Sequence, residues 1–551
     1  MVETLPASRR LARNRITAGG VLVLGLLAAG VAPAAAQAPR AARLAPTACH
    51  LDGLPDEVLC GRHEVFEDRA RREGRRIALR VAVLPALRRD PRPDPVFLLA
   101  GGPGQGATIL AGPAARGFRP LRRTRDIVLV DLRGTGESNP LRCDMGGDLD
   151  VLLGAFPADA LKRCLATLDA DPRLYGTAWA VDDLDEVRQA LGYERINLWG
   201  GSYGTRVALV YARRHPERVR SVVLDGAAPF GIRLPLHFAA GAERALGMLV
   251  DACIADRECA TAWPGLRAEL DRLLEGLAAA PAQTAIVHPR TGERVDATIT
   301  RSMFAAGVRG FLYVPGHGSL VPMVVHRAAM GDFGPFAALA LETASWSVDT
   351  MSLGLALSVV CSEDMARVAE ADIPPAVAGT FIGRADLDLW REWCAVWPRG
   401  ETPADVDAGA DTRPGEAGGA GAAGMGAAGA AAPLAIPALI LSGDFDPVTG
   451  PEWGDVMKGN FLDALHVVVP GAAHNTSFSG CVPDLIARFV ERGTVAGGTV
   501  AGGTAAGGTV AGGATAAGTT AGGGAADPID TACVTAVRRP PFVLGFAGTV
   551  P

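Results

Sequence analysis

Short apolar runs alternate with segments of helical spacing in the first part of the chain. The apolar runs cover 77–84, 95–100, 127–130, 196–199 and 219–224. Helical spacing covers 179–191 and 205–214, on either side of the fourth run. Strands that alternate with helices in this way predict βαβ units. We therefore expect an α/β fold built on a mostly parallel sheet flanked by helices.

The spacing of apolar residues becomes mostly helical between residues 231 and 407, and the strand pattern then resumes at 438–441 and 465–469. A long helical insertion between two late strands predicts a cap that covers one edge of the sheet. The sequence thus divides into a first core part at 37–230, the cap at 231–407 and a second core part at 433–551.

Two stretches lack large apolar residues. Residues 408–432 are rich in alanine and glycine, as flexible linkers are. Residues 494–526, within the second core part, repeat Gly-Gly-Thr-Val-Ala with variations. Because small residues bury too little apolar surface to offset the entropy lost on ordering, we expect a disordered surface loop there.

The N-terminus has the pattern of a signal peptide at 1–36. Four arginines precede an apolar run at 16–32, and three alanines at 34–36 fit a small-residue cleavage site. An uncleaved membrane anchor is the alternative, although the run is short for a span. We expect a protein that is secreted or held in the periplasm or cell envelope, without stable membrane insertion after cleavage.

Composition narrows the possible partners. The chain of 551 residues has a formal net charge of −6 at pH 7, and no basic patch stands out. Nucleic acid is therefore not an expected partner. The length exceeds that of one compact domain, and 49% hydrophobic residues allow a sizeable core.

The ten cysteines are an even number, which in an exported chain suggests disulfides. Pairing sequence neighbours gives 49–60, 143–164, 253–259, 361–394 and 481–533 as the simplest arrangement. Buried free thiols are the alternative. No cysteine spacing matches a zinc site, so no metal is expected.

A candidate nucleophile, Ser202, lies in Gly200-x-Ser202-x-Gly204, between a predicted strand and a predicted helix. A serine on such a sharp turn stands exposed above the sheet, and the glycines avoid steric clashes. The alternative is an ordinary glycine turn. The strand before the motif and the helix after it favour the catalytic interpretation.

A serine hydroxyl needs a base, and α/β hydrolases order their triad as Ser, acid, His along the chain. Asp446 follows the predicted strand at 438–441, and His474 follows the one at 465–469. In this arrangement His474 takes the proton from Ser202, and Asp446 orients the imidazole. The alternatives are Asp444 as the acid and His466 or His317 as the base.

The tetrahedral intermediate needs backbone N–H donors. Tyr203, directly after the nucleophile, is one candidate. Gly102, in the glycine turn at 101–104, is the other, although this could be only a tight turn. No Gly-Lys-Ser/Thr follows the turn, so a phosphate loop is not expected and no cofactor is predicted.

Four motifs together resemble the proline iminopeptidase family, and more closely its secreted tripeptidyl-aminopeptidase-like branch. They are Gly101-Gly102-Pro103-Gly104, Asp131-Leu132-Arg133-Gly134-Thr135-Gly136-Glu137-Ser138, Gly200-Gly201-Ser202-Tyr203-Gly204 and Asp446-Pro447-Val448-Thr449. The resemblance covers roughly 90–230 and 434–483. It implies an α/β-hydrolase fold with a cap, and an activity that removes residues from the free N-terminus of a peptide substrate.

The resemblance also implies an acidic group that binds the substrate ammonium. Glu363 and Asp364, in the predicted cap, are similar to the acidic element of the family. A solvated acid pair at a helix start is the alternative. Two positions depart from the family pattern, because Ala100 stands where histidine is usual and Asn475 where glycine is usual. Neither change removes a catalytic atom.

Three functions fit these residues. The first is an exported serine aminopeptidase, and the second is an esterase with the same triad. The third is a non-catalytic binding protein on this fold. The acid pair favours the peptidase, since the fold and triad alone do not determine the substrate.

Overall fold

The computed structural model describes residues 44–144, 146–152, 158–403, 432–495 and 529–545. The predicted signal peptide lies outside this part of the chain. So do residues 408–431 of the predicted linker and residues 496–526 of the predicted loop.

Eleven strands lie in the described residues. They are β1 (Thr47–Leu51), β2 (Leu54–Phe66), β3 (Arg76–Leu84), β4 (Val96–Leu99), β5 (Ile127–Val130), β6 (Ile196–Gly201), β7 (Val219–Asp225), β8 (Ala282–Val287), β9 (Arg294–Ile299), β10 (Ala438–Gly443) and β11 (Ala464–Val469). Nine of them form one sheet in the order β1-β2-β3-β5-β4-β6-β7-β10-β11. Pairing is antiparallel from β1 to β5 and parallel from β5 onward, so the predicted mostly parallel sheet is confirmed.

Helices cover the sheet and build the segment between β7 and β10. They are α1 (Ala111–Gly117), α2 (Arg119–Arg122), α3 (Asp148–Leu152), α4 (Ala158–Thr167), α5 (Thr177–Leu191), α6 (Tyr203–Arg214), α7 (Phe238–Ala255), α8 (Arg257–Ala262), α9 (Leu266–Ala279), α10 (Arg301–Phe311), α11 (Pro315–Gly318), α12 (Val321–Ala329), α13 (Gly334–Thr350), α14 (Leu353–Val359), α15 (Ile373–Val377), α16 (Ala385–Val396), α17 (Pro451–Lys458) and α18 (Val482–Arg492).

The central strands are buried on both faces, which explains their continuous apolar sequences. Every residue of β4, β5, β6 and β10 is buried. On one face, Phe97 and Leu198 pack with Val207 of α6 in a single cluster. On the other face, Leu98 and Leu439 pack with Phe489 of α18. A parallel sheet between two helical layers needs strands of this kind.

The segment between β7 and β10, which we call the cap, has its own apolar core. Leu246, Phe304 and Phe336 are among its buried residues. The cap also contains the antiparallel hairpin of β8 and β9. The mostly helical spacing of this region did not predict the hairpin, because its strands are only six residues each.

Five disulfides join the cysteines in the predicted pairs, which confirms the neighbour pairing. The bonds are Cys49–Cys60, Cys143–Cys164, Cys253–Cys259, Cys361–Cys394 and Cys481–Cys533. The fourth ties the π-helical turn Val360–Asp364 to α16 in the cap. The fifth ties the start of α18 to the C-terminal segment. Among the described residues, no helix is long and apolar enough to cross a membrane.

Candidate active site

Ser202 occupies the sharp turn between β6 and α6. Its backbone has φ 55° and ψ −123°, a conformation that residues other than glycine rarely adopt. The turn is possible because its neighbours are glycines. A Cβ at Gly200 would lie 2.4 Å from the Gly204 carbonyl oxygen, and one at Gly204 would lie 2.1 Å from the Leu99 carbonyl oxygen. This is the strand–turn–helix geometry that the sequence motif predicts.

The glycine turn after β4 lies directly against this serine. A Cβ at Gly101 would lie 2.9 Å from the Cβ of Ser202. Gly102 has φ 105°, in the region that favours glycine. Within the described chain, neither the Gly102 amide nor the Tyr203 amide donates to another residue. The role of both amides as oxyanion donors stays a prediction.

Asp446 and His474 are in direct contact. The Asp446 Oδ2 atom lies 2.8 Å from His474 Nδ1 and also accepts from the Thr449 hydroxyl at 2.8 Å. Asp446 Oδ1 accepts the amides of Val448 and Thr449, each at 2.8 Å. Three hydrogen bonds from Val448 and Thr449 thus hold a fully buried carboxylate against one nitrogen of the imidazole.

The contact shifts the pKa of each partner toward its charged form. Burial alone would raise the pKa of Asp446, but the imidazole and the hydrogen bonds outweigh it and hold the pKa below its usual value. Burial alone would lower the pKa of His474, but the Asp446 carboxylate outweighs it and raises the pKa. The carboxylate is therefore ionised at neutral pH and orients the imidazole.

The Ser202 turn and the Asp446–His474 pair both lie beside the end of β7. The Ser202 amide donates to the carbonyl of Asp225, the last residue of β7, at 2.8 Å. A Cβ at the next residue, Gly226, would lie 3.3 Å from Cε1 of His474. The imidazole and the nucleophile turn thus flank the same strand end. His474 contacts Asp446 and not the rival acid Asp444.

Asp225 is a further residue of the candidate site, and no motif in the sequence predicts it. Its buried carboxylate accepts from the amide of Thr476 at 2.8 Å and from that of Ser477 at 2.7 Å. Burial raises its pKa, although these hydrogen bonds oppose the effect. Its position at the end of an apolar run, like that of Asp446, was the signal available in the sequence.

The acidic pair of the cap is enclosed rather than open. Glu363 is 3% exposed and Asp364 is 0% exposed. Glu363 accepts from the amide of Thr177 at 2.7 Å and from its hydroxyl at 2.8 Å. The Asp364 carboxylate accepts from both terminal nitrogens of Arg206, each at 3.0 Å. The hydroxyl groups of Tyr203 and Thr177 are hydrogen-bonded to each other at 2.7 Å. The pair links the cap to α5 and α6, and its binding of an ammonium group stays a prediction.

A second Ser–His–Asp contact lies outside the site. The Ser442 hydroxyl lies 3.0 Å from Nε2 of His466, whose Nδ1 lies 2.8 Å from Asp455. Ser442 is 0% exposed, and a Cβ at Gly454 would lie 2.7 Å from its hydroxyl. Because α17 covers it, no substrate can reach this serine. The other alternative base, His317, lies 3.7 Å from Glu342 in the cap.

Side chains that could bind a metal are not clustered in the described part of the chain. No group of three or more histidine, cysteine, aspartate or glutamate residues there is arranged to hold a metal ion.

Comparison with known proteins agrees with this architecture. Residues 94–262 match the alpha/beta hydrolase fold, and residues 382–501 match a TAP-like protein. The chain has the α/β-hydrolase fold, and its later part is similar to a TAP-like protein. The resemblance to the proline iminopeptidase family and its tripeptidyl-aminopeptidase-like branch, which the motifs predicted, is confirmed.

The curated relatives include proteins named as peptidases. Serine protease Hip1 of Mycobacterium tuberculosis is 29% identical over 192 residues, which cover 32% of this chain and 36% of that protein. Proline iminopeptidase of Neisseria gonorrhoeae is 34% identical over 138 residues, which cover 25% of this chain and 34% of that protein. The chain thus spans about a third of the length of these relatives.

A solved structure of proline iminopeptidase from Mycobacterium smegmatis is also similar. It is 14% identical, covers 78% of this chain and 98% of its own chain, and has a TM-score of 0.35.

Proposed function

We propose that this protein is an exported serine peptidase that hydrolyses peptide bonds near a free N-terminus through an acyl-enzyme. The contact of 2.8 Å between Asp446 and His474, beside the strained Ser202 turn, is the observation that carries the proposal. In the first step His474 takes the hydroxyl proton of Ser202 as the serine oxygen attacks the substrate carbonyl. Because Nδ1 of His474 is bonded to Asp446, Nε2 is the nitrogen that accepts this proton.

The negative charge that develops on the carbonyl oxygen needs donors. The amides of Gly102 and Tyr203 supply them in this proposal. Tyr203 is the first residue of α6, so the positive end of the helix dipole adds to the stabilisation. Removing one such donor typically costs about a hundredfold or more in kcat.

His474 acts as an acid when the acyl-enzyme forms and as a base when water hydrolyses it. The imidazolium of His474 gives its proton to the leaving amine, and the C–N bond breaks. A water molecule next loses a proton to His474 and attacks the acyl carbonyl. The Ser202 oxygen leaves as the imidazolium returns the proton, so no cofactor is consumed.

Different observations support the two parts of the proposal, the peptide substrate and the export of the protein. The relatives Hip1 and proline iminopeptidase are named as a serine protease and an iminopeptidase, which supports peptide hydrolysis near an N-terminus. Five disulfides support an oxidising compartment, because such bonds are rare in reducing cytosol. The apolar segment at 16–32 supports export.

The decisive experiment compares aminoacyl and tripeptidyl arylamides with their N-acetylated forms. We expect higher kcat/KM for the free N-termini, and loss of all turnover in Ser202→Ala. A fluorophosphonate probe should label the wild type and not Ser202→Ala. Equal rates on free and acetylated substrates would reject recognition of the N-terminus. Turnover of carboxylic esters alone would assign the esterase alternative.

A further inference from the structure

Arg244, on cap helix α7, reaches the loop that carries the acid. Its guanidinium donates to the Asp444 carbonyl at 2.6 Å and to the Asp446 carbonyl at 2.5 Å. These are the backbone carbonyls on either side of Phe445. A rigid, forked donor that binds two carbonyls fixes the path of the chain between them.

The helix itself lies close to the same loop. A Cβ at Gly241, one turn before Arg244, would lie 2.7 Å from the Pro447 carbonyl oxygen. Glu452 lies 3.8 Å from Nε of Arg244, which balances the charge of the partly buried guanidinium. The cap thus contacts the acid loop through backbone and side chain, without touching the Asp446 carboxylate.

The base has a comparable contact with the cap. The carbonyl of Tyr313, two residues beyond α10, accepts the His474 amide at 3.3 Å. The Tyr313 ring meets the imidazole edge-on, with centroids 5.3 Å apart and planes at 73°. The Tyr313 hydroxyl accepts from Arg309 at 3.0 Å, which fixes the ring from its far end. An edge-on ring limits rotation of the imidazole.

We propose that the cap positions the catalytic acid and base, with Arg244 and Tyr313 as the positioning residues. This rests on the proposed function, since it concerns how Asp446 and His474 act together. Among the described contacts, neither side chain hydrogen-bonds the imidazole or the Asp446 carboxylate. Arg244 holds the backbone of the acid, and Tyr313 holds the backbone and the ring plane of the base. A displaced cap therefore weakens the contact between Asp446 and His474.

Two substitutions of Arg244 test the acid side. Arg244→Met keeps the aliphatic length and removes every donor, so we expect kcat to fall about tenfold or more while KM changes less. Arg244→Lys keeps a charged donor and should recover part of the loss. Arg267→Met is the matched control, because Arg267 is a cap arginine whose partners are Glu243 and Asp271. It should leave kcat within about twofold of the wild type.

The pH profile separates positioning from loss of folded protein. Asp446 raises the His474 pKa, so a weaker contact should move the acidic limb of kcat/KM to lower pH in Arg244→Met. Misfolding would reduce the number of active sites without moving the limb. Titrating the active sites with a fluorophosphonate corrects each rate for that fraction.

On the base side, Tyr313→Phe keeps the ring and should retain most of the activity, whereas Tyr313→Leu should lower kcat. This pair carries the test if Arg244→Met does not fold. Wild-type kcat and an unmoved acidic limb in folded Arg244→Met, or in Tyr313→Leu, would overturn the proposal. If the wild type hydrolyses only esters, the same variants are measured on the ester, so failure of the peptidase assignment remains distinguishable.

Discussion

Ser202 is joined to Asp225 through the backbone, and the carboxylate of the same aspartate binds the chain just after His474. The Ser202 amide donates to the Asp225 carbonyl at 2.8 Å, while the Asp225 carboxylate accepts the amides of Thr476 and Ser477. Those two residues follow His474 by two and three positions. One buried aspartate therefore connects the nucleophile turn to the loop that carries the base.

Replacing that aspartate tests the connection. In Asp225→Asn the amide nitrogen of the side chain must face a backbone N–H, so one buried hydrogen bond is lost. We expect kcat to fall about tenfold or more and the melting temperature to drop by several degrees. The acidic limb of kcat/KM should also move to lower pH, because the Asp225 charge contributes to the raised His474 pKa. Steady-state kinetics across pH, with thermal unfolding, measures both effects. An unchanged rate would mean that the loop after His474 needs no anchor.

Asp444 and Asp446 lie in the same loop, but changing each to asparagine should lower kcat to very different extents. Asp446→Asn removes the acceptor that orients His474, and such a change costs about 10⁴ in kcat in a comparable triad. Asp444 makes no contact with His474, so Asp444→Asn should stay within about tenfold of the wild type. The reverse order of effects would make Asp444 the catalytic acid.

The pH dependence of the reaction follows from the shifted His474 pKa. Catalysis requires the neutral imidazole, and its pKa is raised above the usual value of about 6.5. Activity should therefore fall as the pH drops through a midpoint above about 6.5. Asp446 remains ionised over this range, because its pKa is lowered. A profile of kcat/KM against pH gives the midpoint directly. A midpoint well below that of free imidazole would contradict the expected effect of Asp446.

Glu363→Gln separates two roles for the acidic pair. A purely structural role, in which both oxygens of Glu363 only accept from Thr177, would make the variant slow free and N-acetylated substrates by similar factors. An ammonium-binding role would instead raise KM about tenfold or more for free N-termini alone. Parallel kinetics on one arylamide and its acetylated form decide between them. Thr177→Val is the matched control, since it removes the hydroxyl that joins Glu363 to Tyr203.

Stability should depend on which disulfide is removed. The loop closed by Cys481–Cys533 spans 52 residues, whereas that closed by Cys253–Cys259 spans 6. The chain-entropy model gives about 4 kcal/mol for the long loop and about 2 kcal/mol for the short one. Replacing both cysteines of each pair with serine should therefore lower the melting temperature more for the first pair. Equal losses in thermal unfolding would indicate that native contacts, rather than loop closure, determine the effect.

Local patterns predicted where the candidate site residues lie in the fold. Ser202 was predictable because a strand, a glycine turn and a helix are adjacent in sequence. Asp446 and His474 were predictable because each follows an apolar run, and the ends of parallel strands share one edge of a sheet. The disulfides were predictable because each pair consists of neighbouring cysteines.

The contacts between distant segments were not predictable. Arg244 reaches carbonyls about two hundred positions away, and neither its spacing nor its neighbours in sequence indicate that partner. Glu363 had the residue type expected of an ammonium site, but its burial depends on the packing of the cap against α5 and α6. Tertiary packing decides such features, and one sequence does not display it.

The position of the cap within the chain also has a consequence for how the protein is made. Ser202 precedes both Asp446 and His474 by more than two hundred residues. Synthesis runs from the N-terminus, so the serine and the whole cap exist before either partner of the serine has been translated. The proposed acid and base are therefore added to the growing chain only late in its synthesis. A chain that stops before β10 contains the nucleophile and the cap but has neither the acid nor the base.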